Sequence, residues 1–350
     1  MDSIYADIAR RTGGNVYIGV VGPVRTGKST LIKRIMEQLV IPEIDDPYRK
    51  ERARDELPQS GSGRTIMTSE PKFIPEEAAE IIPDGKTKLR VRFIDSVGYM
   101  IPGAVGAEED GTPRMVTTPW YDYEIPMTQA AELGTRKVME EHCSIGLVVT
   151  TDGTVTDIPR EDYPEAEKKA IADMQKTGKP YIIIINSRNP SGEAARRASD
   201  AIEREYGVQP MIADCQSLNQ AGICSLLKAL LYAFPVTELR ITMPRWLDAL
   251  EQEHPVKTAL YRALLECAGQ IGNLGEAERT LQRLQELPEV QDFSLRGVDP
   301  ADGSVTCSIV LPEKLYYEIL SSKAGLSIEN DAQLLSLLMY WQRSSRNTIK

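Results

Sequence analysis

The chain has 350 residues, with 41 Lys+Arg against 51 Asp+Glu, a formal net charge of −10, and 41% hydrophobic and 26% charged residues. This is a globular composition long enough for two or three domains. Its acidic balance argues against nucleic acid, or broad adhesion to anionic lipid, as the main partnership, because both select a positive field.

Five cysteines without a CxxC pair, and two histidines, leave little for a zinc site and fit a reducing compartment. The first residues carry no basic and apolar leader. The apolar runs fall far short of the ~18–20 residues that span a bilayer. The expectation is a cytosolic chain, neither secreted nor integral to a membrane.

Over the first ~235 residues, β-rich apolar runs alternate with helical patterns, which predicts a parallel sheet wrapped by helices. The run at 16–21 ends directly in Gly22, and Leu31, Ile32, Ile35, Met36, Leu39 and Val40 then recur at helical spacing. Leu89, Val91 and Phe93 alternate with Arg90 and Arg92, predicting a strand over 88–95. A Pro83-Asp-Gly85 turn joins it to an earlier strand near 73–82. Further strands are predicted at 145–151, 181–185 and 210–213, with helices near 127–142, 161–176, 191–206 and 221–233. Phe234-Pro235 closes this pattern. Beyond it, helices at 246–270 and 274–287, a strand pair at 290–297 and 304–311, and two final helices predict a smaller α+β domain over 237–350, after a first domain over 1–236.

The strongest motif is Gly22-Pro-Val-Arg-Thr-Gly-Lys-Ser-Thr30. It has the form G-x-x-x-x-G-K-[ST] and lies between a predicted strand and a predicted helix. Glycines let successive backbone N–H groups curl around phosphate, and the helix N-terminus adds its positive dipole end. Lys28 can reach the β- and γ-phosphates, and the Ser29 hydroxyl can ligate Mg²⁺. Gly22, Arg25, Thr26, Gly27, Lys28, Ser29 and Thr30 are therefore candidate nucleotide contacts.

Asp95-Ser-Val-Gly98 ends the strand at 88–95. In a P-loop fold such a carboxylate holds Mg²⁺, usually through water, and the Gly98 N–H can sense the γ-phosphate. Between the two motifs, Arg64-Thr-Ile-Met-Thr-Ser-Glu70 offers Thr65, Thr68 and Ser69 as reporters of that phosphate, with Thr68 favoured by its place just before a strand. Tyr99 stands where many related switches carry a water-orienting Gln. Arg25, inside the loop, either leans over the phosphates as a built-in arginine finger or points outward to pair with an acid. After the strand at 181–185, Asn186-Ser-Arg-Asn189 replaces the guanine-selecting N-K-x-D, and Asn189 cannot supply a two-acceptor carboxylate. That points to ATP, or to loose base selection, with Asn186 and Ser187 as base-side contacts.

Long stretches of the chain resemble one family, the spore coat morphogenetic ATPases of endospore-forming bacteria (stage IV sporulation protein A). They include Asp55-Glu-Leu-Pro-Gln-Ser60, Thr65-Ile-Met-Thr68, Asp95 through Tyr99, Thr118-Pro-Trp-Tyr121, Gly134-Thr-Arg-Lys-Val138, Thr150-Thr-Asp-Gly-Thr154 and Ile185-Asn-Ser187. The resemblance covers most of residues 8–235 and is looser beyond. It implies a GTPase-derived P-loop fold that binds ATP with Mg²⁺ and hydrolyses it to drive essentially irreversible self-assembly into a basement layer around the forespore. It further implies a place in the mother-cell cytosol at the outer forespore membrane, a small amphipathic membrane-anchoring peptide, and other spore coat proteins as partners. Carried over, Lys28 is the phosphate lysine, Asp95 the Mg²⁺ acid, and Thr68 and Ser69 the sensor pair, with Ser69 replacing a threonine. Lys28, Thr68, Ser69, Asp95 and Arg25 are the expected catalytic set, and Ser29, Thr68 and Asp95 the expected metal set. The family's C-terminal region is expected to be absent here. Two rival readings remain, a regulatory switch NTPase and a scaffold with a vestigial site.

Overall fold

The computed structural model describes residues 4–58, 71–83, 86–102, 104, 108–109 and 112–348. The expected reporters Thr68 and Ser69 lie outside the described residues, as does the centre of the 83–85 turn. Two compact units divide the chain: residues 1–234 with 300–302, and residues 235–299 with 303–350.

In the first unit, α1 (Ile4–Thr12) leads into β1 (Asn15–Val21) and α2 (Lys28–Ile35), which widens into a π turn at Met36–Val40. Helix α3 (Pro47–Asp55) follows, its N-terminus capped by Asp46, whose carboxylate accepts from the N–H groups of Tyr48 and Arg49. Next come β2 (Lys72–Ile81), β3 (Leu89–Asp95) and a two-stranded ribbon of β4 (Met115–Thr118) and β5 (Tyr121–Pro126). Helix α4 (Met127–Lys137), β6 (Ile145–Thr151), α5 (Pro164–Lys176), β7 (Tyr181–Asn186), α6 (Glu193–Tyr206), β8 (Met211–Ala213) and α7 (Gln220–Tyr232) complete the unit.

The main sheet has six strands in the order β8-β7-β6-β1-β3-β2. Every pairing is parallel except that of β2 with β3. This is the α/β, GTPase-like P-loop architecture expected from the alternation of strand and helix patterns. All seven residues of β6 are buried, which explains its unbroken apolar run: a central parallel strand has no solvent face. The helices lay apolar stripes on both sides of the sheet, and α2 alone buries Leu31, Ile32 and Ile35. On β3, Leu89, Val91 and Phe93 point into the core, while the guanidinium of Arg92 covers the Phe73 ring at 4.1 Å.

The strand order reverses at β1, between β3 and β6. In open α/β sheets a crevice forms at the carboxyl ends of the strands at such a reversal. The register sets Asp95 beside Val20, Val148 beside Val21 and Asn186 beside Thr151. The loops after β1, β3, β6 and β7 therefore open at one edge.

The second unit holds a three-stranded sheet in which β9 (Glu238–Thr242) runs parallel to β11 (Ser304–Val310), and β10 (Asp292–Asp299) pairs with β11 antiparallel across a bulge at Leu295/Gly297. Its helices are α8 (Pro255–Gln270), α9 (Leu274–Leu281), α10 (Glu313–Ala324) and α11 (Asp331–Thr348). The continuous helix expected over 246–270 is broken. A 3-10 turn covers Arg245–Ala249, and α8 starts only at Pro255, because proline can begin a helix but cannot continue one. The expected 274–287 helix likewise tightens into a 3-10 segment at Gln282–Glu286. Strand β9, α1, α3 and the β4–β5 ribbon were not legible in the sequence pattern.

Candidate nucleotide site

The loop between β1 and α2 owes its shape to three residues of positive φ: Gly22 at 131°, Arg25 at 65° and Gly27 at 92°. At Gly22 a Cβ would come within 2.3 Å of Val149 O, and at Gly27 within 2.2 Å of Asn186 Nδ2. Neither position admits a side chain without moving neighbouring atoms. Lys28, only 5% exposed, opens α2 and turns back over the loop. Its Nζ donates to Pro23 O at 2.6 Å and to Gly22 O at 3.4 Å. Burial lowers its pKa to about 8; the nearby Asp95 charge opposes that shift and the Arg25 charge adds to it. The Thr26 hydroxyl donates to Pro23 O at 3.0 Å, bracing the loop from within. Thr30 lies on the first turn of α2, half-buried.

Ser29 Oγ donates to Asp95 Oδ2 at 2.6 Å, so the structure brings together the two motifs, 66 residues apart in sequence. Asp95 Oδ1 is buried without a hydrogen-bond partner. Burial pushes the Asp95 carboxyl above its usual range, against the opposing Ser29 hydrogen bond and the Lys28 charge. An orphaned carboxylate oxygen beside a serine hydroxyl fits a hard cation that takes oxygen ligands and keeps most of its shell as water and phosphate oxygens, which is magnesium's habit. Among the described residues no group of three or more His, Cys, Asp or Glu gathers for a metal. Ser29 and Asp95 are thus the described residues able to hold Mg²⁺ here.

Arg25 is half-buried, and its charge acts on both Lys28 and the buried Tyr163. Tyr99 is turned away from the loop. Its ring is 1% exposed and its hydroxyl donates to Asp173 Oδ2 at 2.6 Å. Gly98, at φ 101°, sits against the loop, with its N–H donating to Thr135 Oγ1 at 3.0 Å.

On the base side, Asn186 spans two elements. Its Nδ2 donates to Thr26 O at 3.0 Å, and its Oδ1 accepts from Cys215 N–H at 3.1 Å. Ser187 Oγ donates to Asp152 Oδ2 at 2.6 Å and accepts from Asn189 N–H at 3.0 Å. Both side chains engage protein groups, so Asn186 ties the phosphate loop to the end of β7 and to the segment after β8.

Sequence reasoning missed Asp152, which also accepts from the N–H and the hydroxyl of Thr154 at 3.0 and 2.6 Å. It missed Thr135 as well, and the buried Glu167, which pairs with Arg160 and accepts from Thr150. Asp152 and Thr135 lie within the family-like runs Thr150-Thr-Asp-Gly-Thr154 and Gly134-Thr-Arg-Lys-Val138, which carry no motif of their own, and Glu167 is one acid in a predicted helix with no signal of its own.

The family model for the ATPase domain of stage IV sporulation protein A matches residues 1–235, and the model for its middle domain matches residues 236–349. Stage IV sporulation protein A of Clostridioides difficile (strain 630) is 42% identical over 337 residues, covering 96% of this chain and 69% of that protein. The Bacillus anthracis protein is 41% identical over 336 residues, and that of Bacillus subtilis (strain 168) 39% over 335, each alignment covering 96% of this chain and 68% of the relative. Among solved structures, the cytosolic domain of L. pneumophila FeoB aligns with 77% of this chain and 96% of its own at 15% identity and a TM-score of 0.33, too low to carry an argument. With a phosphate loop after β1, an acid at the end of β3 and domain models that together span residues 1–349, the chain belongs to the stage IV sporulation protein A family, its first part being that family's nucleotide-binding ATPase domain.

Proposed function

We propose that the chain is a Mg²⁺-dependent ATP hydrolase whose turnover drives its own assembly into the basement layer of the spore coat. The observation that carries the chemistry is the 2.6 Å contact of Ser29 Oγ with Asp95 Oδ2, with Lys28 folded over the same loop. When bound, Mg²⁺ would supply charge neutralisation at the phosphates, with Ser29 and Asp95 as the residues that would hold it. Lys28 would leave its carbonyl partners for phosphate oxygens. Backbone N–H groups at the start of α2 would face the β-phosphate. Arg25, whose charge already reaches Lys28, would neutralise charge that builds in the transition state. Thr68 and Ser69 are proposed to report the γ-phosphate.

Family membership supports the assembly reading, with the mother-cell cytosol at the outer forespore membrane as its setting. A small amphipathic anchoring peptide and other coat proteins are the proposed partners. No helix among the described residues is long and apolar enough to cross a membrane, which suits a peripheral attachment. The GTPase-like sheet order favours one alternative, a regulatory switch NTPase.

Phosphate release from ATP and from GTP with Mg²⁺ tests both readings, on the chain and on Lys28→Ala, with particle size followed by sedimentation. The assembly reading expects turnover of ATP and growth of large species only in the unaltered chain. A preference for GTP would replace it with the switch reading. Growth unaffected by Lys28→Ala would show that assembly does not need the chemistry.

A further inference from the structure

The turn that follows Asp95 is fastened to its surroundings by backbone amides, beginning with Ser96 N–H, which donates to Val20 O at 3.3 Å. Val24 N–H donates to Tyr99 O at 2.9 Å, and Tyr99 N–H donates to Gly22 O at 3.1 Å, which zips the turn onto the phosphate loop. The Gly98 amide goes the other way, to Thr135 Oγ1 on α4. Thr135 is 0% exposed. Its own hydroxyl proton is donated to Ala131 O at 2.8 Å, so toward Gly98 it acts as an acceptor. Gly98 is nevertheless at the site: a Cβ there would lie 2.6 Å from Lys28 Nζ and 2.3 Å from Gly22 O.

We propose that Thr135 is a positioning residue, a latch that holds the Gly98 amide away from the γ-phosphate position until a triphosphate pulls it free. The proposal rests on the reading of Gly98 as a phosphate-sensing amide. One N–H makes one strong hydrogen bond, so Thr135 Oγ1 and a γ-phosphate oxygen compete for the same proton. A diphosphate offers no competitor and leaves the latch closed. The bond to Thr135 therefore opposes the triphosphate alone, and it reduces the preference of the site for ATP over ADP by the worth of that bond. Release also removes this bond between the turn and α4.

The test uses the full chain and its Thr135→Val and Thr135→Ser variants, with dissociation constants for ADP and for a non-hydrolysable ATP analogue, both with Mg²⁺. Valine keeps the shape and removes the acceptor. Losing a bond made only in the nucleotide-free and ADP states should tighten the analogue about two- to tenfold relative to ADP. Thr135→Ser should restore the unaltered ratio. Equal effects of Thr135→Val on both nucleotides, or a loss confined to the analogue, would overturn the latch.

A second measurement does not depend on the variants folding. In the unaltered chain the Gly98 ¹⁵N and Thr135 ¹³Cβ resonances should shift together on adding the analogue and stay in place with ADP. Movement of Gly98 without Thr135 overturns the latch alone. A Gly98 amide that responds alike to both nucleotides overturns the sensing reading beneath it.

Discussion

The Ser29 hydroxyl and the Asp95 carboxylate meet at 2.6 Å, and this contact uses only one of the two carboxylate oxygens. The other is buried without a partner, so one oxygen of a desolvated carboxyl is left without a hydrogen bond. Such an arrangement costs stability and prepares for a cation.

Asp95→Asn should therefore separate stability from activity. Burial raises the carboxyl's pKa in the folded state, so the folded chain holds that proton more tightly than the unfolded one. The stability that Asp95 contributes is present below its unfolded pKa and is lost as pH rises through the folded value. Burial penalises the charged form, and asparagine removes that penalty while still accepting from Ser29. The nucleotide-free variant should melt higher, by about 2–4 °C for each kcal/mol recovered, and should lose Mg²⁺-dependent phosphate release. Thermal scans with and without Mg²⁺, across pH, check this; a lower melting temperature without Mg²⁺ would contradict it.

Tyr99→Phe addresses a different role. Tyr99 occupies the position at which a glutamine orients water in many switch proteins, but its hydroxyl is bonded to Asp173 on α5, away from the phosphate loop. Removing the hydroxyl deletes one hydrogen bond to a charged acceptor, worth about 1.5–3 kcal/mol. Asp173 keeps Lys176 at 2.7 Å and Arg136 at 3.6 Å, so its charge stays paired. The variant should lose stability in chemical denaturation while its turnover per folded molecule stays within about twofold, well under the 10²–10⁴ of a lost acid–base catalyst. A hundredfold loss of turnover would place the hydroxyl in the chemistry.

Most of the first unit was legible because its signals are local. A phosphate loop announces itself by glycine spacing, and the central strand β6 by the apolar run of its first five residues. The residues that went unseen act through distance. Thr135 looks like any threonine in a helix until the fold brings Gly98 to it, 37 residues away in sequence. Asp152 becomes an anchor for the loop after β7 only because β6 and β7 end side by side. Strand β9 escaped because only alternate residues, Leu239 and Ile241, are even half-buried, and five residues of weak alternation do not separate strand from loop. The helix expected over 246–270 failed for the opposite reason: a periodic apolar stripe runs through Pro255 without showing that the chain must break before it.

Glu167 supplies a prediction about the loop that carries Asp152. Its carboxylate is 2% exposed, forms a bidentate pair with Arg160, and accepts from Thr150 at the end of β6. Truncation strands the Arg160 charge in a partly buried site, and breaking a buried pair in this way costs about 3–5 kcal/mol. Glu167→Ala should fall in that range in urea unfolding followed by circular dichroism. Glu167→Gln, which keeps a hydrogen-bonding carbonyl, should cost less. Equal losses in the two variants would mean that the charge removed from both, rather than the packing and hydrogen bonding that glutamine keeps, holds the loop.

Lys28 yields a prediction in protons. In the nucleotide-free chain its pKa is lowered from the usual lysine value to about 8, because burial disfavours the charged form. The unfolded chain holds this proton more tightly, so the stability linked to Lys28 is present above the unfolded lysine pKa and is lost as pH falls through about 8. A polyphosphate reverses the balance. Beside several negative oxygens the ammonium is favoured, so bound Lys28 stays charged through that range. ATP binding at pH 9 should therefore take up close to one proton, and at pH 6.5 close to none from this group. Calorimetric titration of the analogue in two buffers of different ionisation enthalpy reads that number directly. Affinity should weaken with rising pH above about 8, approaching tenfold per pH unit while Lys28 is neutral only in the free chain. Lys28→Met, which cannot titrate, should bind more weakly throughout and show no uptake between pH 7 and 9. Uptake that persists in Lys28→Met would assign the proton to another group and return Lys28 to an ordinary lysine pKa.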